Sequence, residues 1–448
     1  MTMMSRPHTK NARLFFLSCI LSALVYFYFL QSVQRYEHLK LSLCAALLFA
    51  AYYYILKTLN NTTLVLEAGL FFRLVLLLSI PNLSQDFYRF LWDGRMVLNG
   101  LNPYLFTPKS VINSSEALFP QIQLLYEGMG PLSARHFSNY PPIHQLPFVI
   151  TALISSTSIL GSVVGLRIII ILADIGVFIF GVKLLKTLKL PTKNIAYYFL
   201  NPLVIIELTG NLHFEGLMLF FLVAAVYFLQ QNKILRSGIF MSFSILTKLI
   251  PVLFLPLLIQ RLGRKNSLRY FGVIILCSVL FTLPFFEVEF LKNYSNTIGL
   301  WFTNFEFNSS IFALSKNLML QIFNQNLMKY MPLIAPLLMS IVLLCFVRLK
   351  KTTTAGILHL FLWILTIYYL CSTTIHPWYI CALVLLCCFT KYRFALVWSG
   401  TIFLSYFAYQ QDFVSDNSLW VAVEYFSVGA YLLYELSNAK GLRASSSS

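Results

Sequence analysis

Charge is what this 448-residue chain has least of. Only 11% of its residues are Asp, Glu, Lys or Arg, while 58% are hydrophobic; a soluble domain carries about a quarter charged residues. Together with several apolar runs of ~18–22 residues, this shortage excludes a soluble globular protein and identifies an integral membrane protein. Cysteine is sparse too. The eight Cys are scattered, none forms Cys-x-x-Cys, and Cys387–Cys388 sits inside an apolar run. These read as small buried apolar residues rather than a disulfide framework, and with no His/Cys cluster the sequence offers no metal site and calls for no cofactor. A phosphate-cradling Gly-rich loop is also missing, which argues against nucleotide chemistry. No internal repeat is visible, and the one low-complexity stretch is Ser445–Ser448.

What charge there is leans positive, with a formal net charge of +17. Its distribution excludes a nucleic-acid partner. The basic residues fall in short clusters between apolar runs: Lys183/Lys186/Lys189/Lys193, Arg261/Arg264/Lys265/Arg269, Arg348/Lys350/Lys351, Lys391/Arg393 and Lys440/Arg443. That is the pattern of cytoplasmic loops, and it also suits contact with membrane lipids. The first run, Arg13–Val33, has no small-residue cleavage site and is followed by Arg35, so it reads as an uncleaved anchor.

Candidate spans lie near 13–33, 41–58, 63–82, 144–160, 165–187, 194–209, 214–230, 237–260, 268–286, 331–348, 354–372, 376–391, 393–410 and 418–437. The expected fold class is therefore all-α: a polytopic transmembrane helical protein of about 12–14 spans. Placing every basic cluster inside makes 237–260 enter and return, as two half-length helices that meet near Lys248 with Pro251 as the break. The same parity leaves 144–160 as an interfacial or re-entrant helix, or else one of the first three spans fails to cross. Four regions follow: N-terminal spans 1–83, an extracytoplasmic loop 84–143, a core module 144–286 and C-terminal spans 287–448.

The loop opens with SQDFYRFLWDGRMVLNGLNPY, Ser84–Tyr104, which gathers two of the chain's five Asp. At 100° per residue Asp86, Arg89 and Asp93 share one face, and Phe87, Leu91 and Leu98 another, which predicts an amphipathic surface helix ending at Asn99-Gly100. A carboxylate at such a boundary stays wet enough to ionise and can act as a general base toward a sugar hydroxyl; alternatively Asp86 favours a helix N-terminus, and Arg89 pairs with Asp93. Arg95 is a fork-shaped donor suited to phosphate, or an Arg snorkelling to headgroups.

A second constellation is NPLVIIELTGNLHFEG, Asn201–Gly216. Glu207, Asn211, His213 and Glu215 crowd one end of a span that Asn201-Pro202 interrupts. Ionisable groups at that depth face a cavity or a partner. Lys248 can balance a phosphate, or pair with Glu207 or Glu215. In HPWYI, His376 can donate to phosphate, and Trp378 and Tyr379 can stack on a sugar or form an aromatic belt. Arg167 and Asp174, seven apart on one face, read as structural, holding helices together through mutual partners; Glu67 and Arg73 stay ambiguous, with Arg73 in reach of a donor phosphate. Asn-x-Ser/Thr sites at Asn113, Asn293 and Asn308 decide nothing.

The acid after an early span, the aromatic outer loop, NYPP (Asn139–Pro142, including Tyr140), LADIGVF (Leu172–Phe178), NPLVIIE…GNLHFEG and HPWY together resemble the GT-C superfamily of membrane glycosyltransferases. The bacterial polyprenyl-phosphate-mannose-dependent α-mannosyltransferase-like branch is the nearest in pattern, with YRFLWDGR…GLNPY typical of bacterial members; a fainter similarity extends to eukaryotic lipid-linked-oligosaccharide glucosyltransferases. The resemblance spans roughly Ser84–Ile259. It implies a GT-C-like architecture, a catalytic Asp in the first outer loop, which maps to Asp86, and metal-independent transfer. Where the family often has two adjacent acids, this chain has Gln85-Asp86. It further implies a polyprenyl-phosphate sugar donor, a glycan or glycolipid acceptor and a bacterial inner-membrane location with the site on the extracytoplasmic face; the endoplasmic reticulum is the alternative. The expected reaction is an inverting hexose transfer, mannose by resemblance, with Asp86 as base and some of Arg95, Lys248 and His376 as a cationic clamp. A flippase of a polyprenyl-linked sugar is the rival reading.

Overall fold

The computed structural model describes residues 9–59, 61–113, 118–303, 305–349, 352–411, 413–415 and 417–444. Lys350, Lys351, Asp412, Asp416 and Ser445–Ser448, all part of the sequence reading, lie outside them. The described residues form an all-helical protein in which no named strand appears. Six helices are long and apolar enough to cross a membrane: Arg13–Ser32 within α1 (Thr9–Ser32), α2 (His38–Thr58), α8 (Ile159–Thr187), Ile250–Phe285, Leu327–Arg348 and α17 (Thr354–Cys371). A bent pair, Pro202–Gly210 with Glu215–Gln230, makes a seventh candidate. This is fewer than the sequence's apolar runs, because several of those runs are broken into shorter helices.

The breaks have local causes. α3 (Thr62–Val75) is capped by the Asn61 side chain, which accepts from Thr63 N, and ends within 14 residues. After α4 (Asp86–Leu98), α5 (Pro108–Ile112), α6 (Ile122–Ala134) and α7 (Pro142–Ser155) comes α8, capped by Ser158. α7 has 14 residues and so rises about 21 Å, short of the ~30 Å hydrocarbon core. Past α9 (Ala196–Phe199), Asn201 accepts from Leu203 N and Pro202 starts α10 (Pro202–Val204). The chain then widens into a π-helix over Ile205–Gly210 and turns by 114° into α11 (Glu215–Gln230). Leu212 sits in the turn with φ 63, a left-handed conformation that costs a branched apolar residue free energy. Arg167 of α8 holds this loosened backbone by donating to the carbonyls of Thr209, Gly210, Leu77 and Ser79.

α12 (Ile234–Thr247) stops at Lys248, whose backbone is extended; a 3-10 turn over Ile250–Phe254 leads into α13 (Leu255–Thr282), which kinks at Gly263 with φ 67. The break expected near Lys248 and Pro251 is therefore present, and α12 packs back against α13. α14 (Val288–Thr303), α15 (Ile311–Phe323) and α16 (Met331–Arg348) follow, then α17, α18 (Ile380–Cys387), α19 (Phe394–Thr401) and α20 (Ser418–Ala444). Cys381, Cys387 and Cys388 are fully buried in the core.

α4 departs from its expected position. Its bounds match, but α6 and α7 enclose it, and Arg89, Asp93 and Arg95 are 4%, 0% and 1% exposed. It is a buried helix, not a surface one. Its closest approach is to α7: a Cβ on Gly94 would fall 2.3 Å from the Phe148 carbonyl oxygen, so this position admits only glycine without a shift.

Candidate active site

Two carboxylates begin two helices. Asp86 is the first residue of α4, and Glu215 the first of α11. Helix N-termini carry partial positive charge and attract anions. The extended residue between α12 and α13 supplies the cation: Lys248 Nζ lies 2.9 Å from Glu215 Oε1 and 6.0 Å from the centre of the Tyr140 ring. Asp86 itself makes no side-chain hydrogen bond or ion pair among the described residues, and it is half-buried. Burial pushes its carboxyl above the usual range; Lys248 opposes this, Glu215 adds to it, and Arg35 opposes it in turn.

The HPWYI segment closes the other side. Trp378 stacks on His213 at 3.6 Å and on His376 at 4.4 Å between ring centres. His376 also stacks on Phe307 and meets the Tyr379 ring edge-on. The loop carrying His376 is pinned from outside: Phe307 N donates to Thr373 O and Ile375 N to Phe307 O. Burial, then the Lys248 charge, pulls the His376 imidazole down to about 3. It is neutral at pH 7, so it can donate or accept a hydrogen bond but brings no charge to a clamp.

Behind this surface lies a buried tier. Glu207 Oε1 accepts from Tyr406 at 2.6 Å and Oε2 from Asn211 Nδ2 at 3.3 Å, with His213 Nε2 3.6 Å away. The partners of Glu207 are thus a phenol, an amide and an imidazole rather than the Arg or Lys considered from sequence. Asn211 Oδ1 also accepts from Leu83 N, tying the π-helix to the segment that delivers Asp86. His144, packed among Tyr140, Phe148 and Phe214, is fully buried.

Nine of the sequence's candidates therefore converge: Asp86, Tyr140, Asn211, His213, Glu215, Lys248, His376, Trp378 and Tyr379. Two stand apart. Asp93 Oδ1 accepts from Arg89 Nε at 2.6 Å, and Arg89 also donates to Ser133 O and His136 O. Arg95 donates to Pro120 O at 2.5 Å and Gln121 Oε1 at 3.2 Å. For Arg95 the reason is periodicity, since nine residues at 100° each place it about 180° from Asp86; Asp93, on the Asp86 face, is instead held by Arg89. Arg95 holds the approach to α6 and neither faces the group nor snorkels.

Arg167 and Asp174 are both structural, each through its own partners: Arg167 donates to the carbonyls already named, and Arg73 Nε lies 2.8 Å from Asp174 Oδ2 with both side chains fully buried. Tyr198 donates to Asp174 Oδ1, while Arg73 donates to Gly69 O and Phe199 O. Arg73 is therefore committed within the fold and is not offered to a donor phosphate. Glu67 is exposed on α3. Of the Asn-x-Ser/Thr sites, Asn308 is buried with its amide on Glu424. Among the described residues no three His, Cys, Asp or Glu side chains gather as metal ligands.

With this geometry in hand, the comparisons are informative. The alpha-(1->6)-mannopyranosyltransferase, N-terminal domain, profile matches residues 21–264. The chain belongs to this mannopyranosyltransferase family. The matched stretch contains Asp86, Tyr140, Asn211, His213, Glu215 and Lys248; the family match ends before HPWYI. The alpha-(1->6)-mannopyranosyltransferase A of Mycobacterium tuberculosis is 24% identical over 253 residues, covering 55% of this chain and 46% of that protein. The chain thus spans about half the length of this relative. Family membership agrees with the GT-C mannosyltransferase-like resemblance carried by SQDFYRFLWDGR and GNLHFEG.

Sequence reasoning missed Arg35, His144 and the role of Tyr406. Arg35 carried one available signal: it is a cation in the short connection after the first apolar run, where the positive-inside pattern would not place it.

Proposed function

We propose that this protein is a membrane mannosyltransferase that moves mannose from a polyprenyl-phosphate donor to a lipid-linked or surface glycan, with inversion and without a metal. The observation that carries this reading is Asp86: a half-buried carboxylate at a helix N-terminus, unpaired among the described residues and within the field of Lys248, in a chain of the mannopyranosyltransferase family. An acceptor hydroxyl oxygen attacks the anomeric carbon, the bond from that carbon to the phosphate oxygen breaks, and the hydroxyl proton passes to Asp86. The lipid phosphate leaves with the bonding pair. Lys248, having given one N–H to Glu215, keeps two for the phosphate. Neutral His376 donates a hydrogen bond, and the half-buried rings of Tyr140, Trp378 and Tyr379 border the sugar.

The active site faces the extracytoplasmic side of a bacterial inner membrane in this reading. An apolar cavity of about 200 Å³ lies among α15, α16 and α17 and reaches Ser372 and Thr373, just before His376; it gives a hydrocarbon tail a path from the bilayer. The reading is tested by incubating membranes that contain the protein with radiolabelled polyprenyl-phosphate mannose, glucose or arabinose and analysing the products. Mannose transfer that persists in EDTA is expected. Label that crosses the membrane without changing its covalent carrier would replace the transferase by a flippase.

A further inference from the structure

We infer that Arg35, in the connection between α1 and α2, is a second phosphate-binding group of this site, where it grips the phosphate of the isoprenoid donor opposite Lys248. The inference rests on the transferase reading and names a residue that reading did not include.

Two clamps fix the position of Arg35. On one side, Asn82 Nδ2 donates to Phe29 O at 2.9 Å and to Val33 O, so the end of α1 is tied to the strand of chain that runs into Ser84 and Asp86. On the other, His38 Nε2 donates to Tyr409 O at 2.7 Å, and its ring stacks on Phe407. Between these clamps the Arg35 guanidinium lies over the Tyr409 ring at 4.7 Å. Tyr409 in turn packs on Phe307, which stacks on His376. Two ring contacts thus join the cation to the imidazole stack, and its charge acts on the Asp86 carboxylate.

Arg35 is also left available. It is half-buried and has no carboxylate partner among the described residues. The nearest acid in sequence, Glu37, accepts instead from Gln34 N and pairs with Lys40. A contact to a ring uses none of the guanidinium's five N–H donors, and their fork matches phosphate oxygens two at a time. The other guanidinia close to the site lack this freedom: Arg73, Arg89, Arg95 and Arg167 all donate to fixed carboxylates or carbonyls. Lys248 alone leaves a phosphate contacted from one side.

The test uses the full chain in neutral phosphatidylcholine vesicles, with farnesyl phosphate as probe. Equilibrium binding is followed by intrinsic tryptophan fluorescence, and donor kinetics are measured in parallel. Arg35→Gln should weaken farnesyl phosphate binding and raise the donor KM by roughly tenfold or more, with a smaller change in kcat, while Arg35→Lys recovers part of the loss. The thermal midpoint should hold. Unchanged farnesyl phosphate binding in Arg35→Gln overturns the inference, whether or not the thermal midpoint drops. So does an effect that appears only in vesicles containing phosphatidylglycerol, which would make Arg35 a headgroup contact. Failure of the wild type to transfer mannose while it still binds farnesyl phosphate through Arg35 would sink the transferase reading and leave this site standing.

Discussion

Two buried charge networks lie within one helix of each other and are built differently. In the Arg73–Asp174 network both carboxylate oxygens are used, Oδ2 by Arg73 and Oδ1 by Tyr198, and Arg73 donates further to two carbonyls. Nothing there is exposed. In the Asp86–Glu215–Lys248 network Asp86 has no bonded partner among the described residues, Glu215 Oε2 has none, and Lys248 keeps a 23% exposed side chain. Buried charge is tolerated only when it is paired and hydrogen-bonded. The first network meets that condition at both carboxylate oxygens, with only Arg73 Nη2 lacking a partner among the described residues, and serves the fold. The second leaves part of it for something that is not protein. In the proposed reaction a donor phosphate and an acceptor hydroxyl would supply the missing partners.

The sharpest way to break this contrast is to replace Asp86. Asp86→Asn keeps shape and loses the proton acceptor, so transfer should fall by about 10²–10⁴ in kcat while farnesyl phosphate binding persists. Stability should move the other way. Because burial raises the folded carboxyl above its unfolded value, the ionised form is disfavoured in the folded protein. The stabilising contribution is present below the unfolded pKa and is lost as pH rises through the folded one. At neutral pH, Asn should therefore leave the thermal midpoint unchanged or higher. A variant that loses activity through a lowered midpoint would place Asp86 with Asp174 instead.

The second network-breaking change should cost fold rather than turnover. Asp174→Ala strands the Arg73 guanidinium in a fully buried site and should destabilise by ~3–5 kcal/mol, read as loss of monodisperse protein in detergent. Adding Arg73→Leu should return much of that loss, since a buried pair replaced together by apolar groups is often neutral. Full stability in the Asp174→Ala single variant would contradict the closed-network description.

How much of this was readable beforehand follows the same division. Local signals were legible. Asp86 and Asn99-Gly100 bound α4 where the pattern put them, Asn201-Pro202 interrupts its helix, and Lys248 sits at the break that loop charges demanded. Loop charge alone grouped the segments of Asp86, Glu215 and His376. Pairings across helices could not. Asp174 stands seven residues from Arg167 on one face, yet its partner comes from α3, because Arg167 is spent on the carbonyls opened by the π-helix. Nothing in linear spacing announces a π-helix or a left-handed Leu212. Arg95 is the instructive miss, since its angular distance from Asp86 was available from the 100° rule that grouped Asp86, Arg89 and Asp93.

The smallest expected effect probes the open network from inside. Glu215 is a negative charge beside Asp86 and holds Lys248 at 2.9 Å. Glu215→Gln removes a group that raises the Asp86 carboxyl and releases Lys248 to act on it; both changes lower the folded pKa. Catalysis requires the ionised base, so activity rises with pH through that value, and the acid limb of the kcat/KM profile should move to lower pH than in the wild type. Two responses separate the readings. A limb that moves down with little change in thermal midpoint makes the three residues one electrostatic unit at an accessible site. A limb that stays in place, with a fallen midpoint, would make Lys248–Glu215 a second closed pair like Arg73–Asp174 and detach Asp86 from it.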